Sequence, residues 1–204
     1  MRLLLLLLTM SAISVHGQSS KDIDHNALLW NLFEKHHDYQ MRNYPEWATY
    51  EGDHRFNDKL TDNSEAGIEA RFDSVRFFII KLGLLKYEKL TPANQLNYDL
   101  FLRMLEERYE EKEFKDHYMP IGQQSGIHIQ FPQIAQVQPL ASFEDYQDYF
   151  ARLRGFETLV KNVITNMQMG MEAGLVMPKV VMEKTLPQMP VSYTHLTLPT
   201  MRTV

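Results

Sequence analysis

The chain has 204 residues, with 21 Lys and Arg against 26 Asp and Glu, a formal net charge of -5, and no cysteine. With 44% hydrophobic and 23% charged residues, it has the composition of a folded globular chain, not a disordered one. It excludes disulfides, thiolate catalysis and cysteine-ligated zinc, and its mild acidity excludes a broad nucleic-acid footprint.

Met1-Arg2 is a short basic start, Leu3 to Leu8 is an unbroken apolar run, and Ser14 and Gly17 supply small residues beyond it. That order is an export signal, cut after Gly17 or, as a second choice, after Ser14. A spanning helix needs about 20 apolar residues, and this run is much shorter. Residues 1–17 are therefore expected to be removed, leaving a secreted or periplasmic protein with no membrane partner.

The middle reads as helices joined by loops. Ile23 to about Tyr39 is one helix, with Leu28, Leu29, Leu32, Phe33 and His36 on one side. Asn43 to Asp62 has no sustained period and is expected to be irregular. A second helix starts near Asp62-Asn63-Ser64, and Ile68, Phe72, Val75, Ile79 and Leu82 define its face, with Gly83 near its end. Thr91 can cap the next, with Pro92 at its first position, and Tyr98, Phe101, Leu105 and Tyr109 on its face. Glu106 to Asp116 is its charged, solvated continuation.

Pro120 to Pro139 reads as a long irregular region. Within it, Gly126-Ile127-His128-Ile129-Gln130-Phe131-Pro132 alternates like a short strand. Ser142-Phe143-Glu144-Asp145 resembles a capping box opening a long helix, with Tyr146, Phe150, Leu153, Val160, Ile164, Met167 and Met171 as its face and Gly174 as its end. Pro178 opens a last helix to about Leu186, which Pro187 stops. The expected fold is mainly α: an irregular array of about five or six helices with long loops.

The chemistry-bearing motifs are sparse. No two histidines stand at the i, i+4 spacing of a helical zinc site, and adjacent His36 and His37 point roughly 100° apart on a helix. There is no phosphate-binding glycine loop and no nucleophile elbow. Six of the 12 methionines lie between Met167 and Met189. Soft thioethers suit Cu(I), but Met167 and Met169 lie roughly 200° apart, so packing is the preferred reading. The acids from Glu106 to Glu113 interleave with Arg103, Arg108, Lys112 and Lys115, the pattern of a solvated face and not of a calcium loop.

Two stretches remain, Tyr44 to Thr49 and Gly52 to Asp58. Their aromatics, carboxylates and His-Arg pair can line a cleft or, equally, cap helices and bury rings. Tyr44, Glu46, His54, Arg55 and, further on, His128 are the candidate cleft-lining residues. No residue is assigned a catalytic, cofactor-binding or metal role.

Tyr44 through Asp58 resembles the opening signature of the bacterial domain-of-unknown-function family 885. Leu90-Thr91-Pro92 to Glu106, Gly126 to Gln133, Gln138-Pro139-Leu140, Asp145 to Leu153 and Gly174 to Glu183 resemble its later segments in order. The resemblance implies an exported protein several times longer, related to helical zinc metallopeptidases. It implies zinc and a peptide substrate in the full-length parent, bound by a helix with His-Glu and a following Pro-Gly-His-His. This sequence has no match to that motif, so residues 18–190 are expected to be an inactive N-terminal portion of a larger helical domain. A complete exported helical binding module is the alternative. Val191 to Thr200 resembles one reading frame of a common sequencing-library adapter, so residues 191–204 are expected to be an artefactual tail, and His195 is not counted as a ligand.

Overall fold

The structure, a computed structural model, describes residues 23–189. The expected signal and the expected adapter tail lie outside the described residues. Those residues form seven α-helices and no strand. None of these helices is long and apolar enough to cross a membrane.

Helix α1 spans His25–Asn43, α3 Glu65–Gly83 and α4 Pro92–Glu110, with the short α2, Pro45–Tyr50, between the first two. Each long helix starts at a side-chain cap. Asp24 accepts from the amides of Asn26 and Ala27, Ser64 from Gly67, and Thr91 from Asn94. Leu29 and Leu32 of α1 meet Val75, Phe78 and Leu82 of α3 and Leu90 and Leu105 at α4, burying one core. The start of α1 is tied to the α3–α4 connection. His25 Nδ1 accepts from the Lys86 amide at 3.1 Å, and Asn26 Oδ1 accepts from the Thr91 amide and from Asn94 Nδ2.

The stretch 43–62, expected to be irregular, holds α2 and a single 3₁₀ turn, His54–Phe56, around a small second core of Met41, Ala48 and Phe56. Pro45 at the first position of α2 explains the helix: its missing amide costs nothing there.

The strand-like stretch 126–132 is also corrected. It belongs to α5, Ile127–Val137, which buries His128, Phe131 and Ile134 and tolerates Pro132 inside it. A short apolar run fits either period, and only the longer window reaching Ile134 separates them. Gly126, at φ 131°, turns the chain into the helix.

Helix α6, Phe143–Ala173, opens on the expected capping box: Ser142 accepts from the Asp145 amide while Asp145 accepts from that of Ser142. Gly174 ends it at φ 72°. Its expected face is wrong. The buried residues are Arg152, Leu159, Val163, Asn166 and Gly170, whereas Tyr146, Phe150, Ile164 and Met171 are exposed. At 100° per residue the buried stripe lies roughly 100° around the helix from the apolar one. Helix α7, Lys179–Thr185, follows Pro178 and gives way to a 3₁₀ turn at Leu186–Gln188.

Candidate functional site

Between α2, α5 and α6 lies an open groove of about 500 Å³. Tyr44 and Glu46 stand on it with Trp47 and Tyr50, and Ile127, Phe131 and Ile134 of α5 face them. The rings of Trp47 and Tyr50 are exposed along its rim. Phe131 is fixed from behind by stacking on Phe156 of α6, ring centroids 3.9 Å apart. Gln130 and Gln133 add amides that can both donate and accept.

Glu46 is held in place and not poised for proton transfer. Its carboxylate accepts from the Thr61 amide at 3.0 Å and from Thr61 Oγ1 at 2.5 Å. Tyr44 belongs also to a second, more polar cavity of about 200 Å³. There its hydroxyl accepts from Arg108 at 3.1 Å, while the Arg71 guanidinium lies 5.4 Å from its ring centroid. His117 lines the same cavity; burial lowers its pKa, against the pull of the Glu65 and Glu69 carboxylates.

The structure brings Tyr44 and Glu46 together and leaves the other three candidates apart. His54 is exposed on its 3₁₀ turn. Arg55 pairs with Asp53 at 2.6 Å and Asp38 at 2.7 Å, and its bonds hold both carboxyls below their usual range. His128 is buried on α5, its Nε2 3.3 Å from Gln188 Oε1.

The residue that sequence reasoning missed is Arg152. It is 0% exposed, yet no carboxylate lies within ion-pair distance of it. Its Nε donates to Lys59 O at 2.8 Å and Nη1 to Gln138 Oε1 at 2.8 Å. Its Nη2 serves Pro45 O at 2.9 Å, Thr49 Oγ1 at 2.8 Å and Phe56 O at 3.2 Å. Asn57, itself buried, accepts from Thr49 and offers its carbonyl to Gln138. The stretch 45–59 is thus wrapped around one guanidinium delivered by α6. Burial lowers the Arg152 pKa, and Glu46, Asp58 and Asp148 at longer range offset this in part. The only signal in the sequence was an Arg in register with Leu159 and Val163 along a long helix.

Zinc needs three convergent nitrogen, sulfur or oxygen ligands. Among the described residues no three His, Asp or Glu side chains come close enough to hold a metal ion. These residues do not fit a zinc site, and no catalytic step is derived through one.

A family model described as bacterial protein of unknown function, DUF885, matches residues 45–197. The match covers most of the chain, begins at the stretch that surrounds Arg152 and runs past Pro190. No curated protein and no solved structure matches. The chain belongs to the DUF885 family.

Proposed function

We propose that this chain is the N-terminal part of a larger exported hydrolase of the zinc-peptidase type, in which the α2–α5 groove forms one wall of the substrate channel. The carrying observation is the groove itself. It is open, floored by Phe131 and Ile134, rimmed by Trp47 and Tyr50, and supplied with Gln130 and Gln133 amides. Aromatic faces beside neutral amides suit an extended peptide, whose backbone needs donors and acceptors and whose side chains need apolar contact. Arg152 keeps the rim rigid by anchoring Pro45, Thr49 and Phe56 from below. In this reading the metal and the general base come from residues other than the described ones, and zinc would activate the attacking water.

The test begins with the source DNA across the codon for Pro190. The frame is expected to continue into a helix bearing His-Glu and then His-His. The longer protein should carry zinc and hydrolyse peptides, and Trp47→Ala in it should raise KM far more than it lowers kcat. A genomic stop after Val204, together with no peptide binding by the 204-residue chain, would overturn the proposal. A genomic stop with peptide binding retained would instead select the helical binding module, which the same groove favours because binding needs no metal.

A further inference from the structure

The segment that leaves α6 folds back onto it, and Gly170 permits this. A Cβ at Gly170 would stand 2.7 Å from the carbonyl oxygens of both Tyr118 and Leu175. Without it, both backbones close on the helix, and the Leu175 amide donates to Gly170 O at 2.8 Å. Met119, next to Tyr118, and Met177, just past Leu175, then come alongside Met167 and Met171. Those two stand one turn apart on α6, roughly 40° from one another around its axis. Met182 of α7 completes the enclosure.

The result is a cavity of about 190 Å³ whose walls carry five thioethers. The other lining groups, Tyr118, Ile121, Leu175 and Val176, bring no carboxylate and no imidazole. Met169, the residue whose divergence from Met167 argues for simple packing, is not in the wall. Core methionines fill gaps, and well-packed interiors leave few voids larger than a water molecule. Here the methionines surround a space instead of filling one. Met171, 63% exposed, stands at its mouth.

We infer that this cavity binds a soft monovalent metal ion, Cu(I). Thioethers are neutral, polarizable donors that prefer Cu(I), whereas calcium and magnesium require oxygens that the wall lacks. A single positive charge is also less costly than a double one to place among apolar groups. Methionine's three rotatable bonds let several sulfurs draw in around one ion without moving the backbone. The five donors come from α6, α7 and two connecting segments, so binding would also pin the chain's last described helix.

The test uses the full 204-residue chain. Ag(I), a redox-inert probe of the same site, is titrated while methionine methyl groups are followed by carbon-13 NMR. Cu(I) is then measured anaerobically by competition with a chromophoric chelator. One equivalent should bind and shift the methyls of Met119, Met167, Met171, Met177 and Met182, leaving Met104 and Met169 unmoved. The Met167→Leu/Met171→Leu pair, nearly volume-conserving, should weaken binding by about tenfold or more with the circular dichroism unchanged. Met177→Leu and Met182→Leu, outside the long helix, give the same reading if the pair fails to fold. No binding, or binding undiminished by these variants with shifts confined to other residues, would overturn the proposal.

Discussion

Arg152 shows how one side chain can organise a segment that has little regular structure. Its buried charge has no counter-ion in contact, only carbonyls, an amide and a hydroxyl aimed at it. Each of those acceptors is stranded if the guanidinium goes. Arg152→Met should therefore cost about 3–5 kcal/mol, the range for breaking a buried charged network. Arg152→Lys should recover little, because a point charge with three donors cannot reproduce the fork. Urea unfolding of the full chain measures both, and a loss below about 1 kcal/mol for the Met variant would remove Arg152 from this role.

A second residue sets a pH dependence. His36 lies edge-on to Phe78 and Phe101, with Gln40 at 3.1 Å. Burial, and then the neighbouring His37, hold its pKa below the ordinary 6.5. The unfolded chain then binds the proton more readily than the folded one. The stability that His36 contributes is thus fully present above about pH 6.5 and declines as pH falls below it, through the folded value. His36→Phe keeps a ring against both phenylalanines and removes the titration. The fall in urea midpoint between about pH 7.5 and pH 5.5 should be smaller in that variant than in the parent. An equal fall in both would assign the dependence to other groups.

At the scale of elements, what was legible depended on whether the signal was local. The caps at Thr91 and Ser142, the stop at Gly174 and the face of α3 are short-range patterns, and the structure has them where the residues put them. The face of α6 was not legible, because its buried stripe mixes Arg152, Asn166 and Gly170 with Leu159 and Val163. Counting apolar residues selects the wrong side when the partner is a polar backbone. Likewise, Tyr44 and Glu46 share a groove that is visible only once α5, read as a loop with a strand, is placed across from them. Gly170 and Gly83 test this logic in opposite directions. Gly170→Ala forces a methyl onto two backbone carbonyls and should destabilise by about 1–3 kcal/mol. Gly83→Ala meets nothing within 4 Å and should stabilise by up to about 1 kcal/mol through helix propensity. Thermal unfolding of the two variants should move in opposite senses, and a shared sign would contradict the close approach at Gly170.

On the scale of the whole molecule, the surface is more apolar than a self-contained helical array requires. Phe77, Ile80 and Leu84 are 51%, 54% and 69% exposed, and on the α3 wheel they lie opposite the buried Ile68, Phe72, Val75 and Leu82. Leu96, Leu100 and Met104 form a similar exposed line on α4, and Tyr146, Phe150 and Ile164 another on α6. Scattered single apolar residues would need no explanation, but stripes at helical spacing are surfaces built to be covered. If the chain is part of a larger helical domain, these stripes are its missing contacts. The purified 204-residue chain should then bind a hydrophobic dye and associate as its concentration rises. Phe77→Lys with Leu84→Gln should reduce both effects while leaving the unfolding free energy within about 0.5 kcal/mol, since neither side chain supports the core. A dye-silent monomer with a single cooperative transition would show instead that the array is sufficient by itself, and the reading as a complete binding module would take precedence over the channel wall.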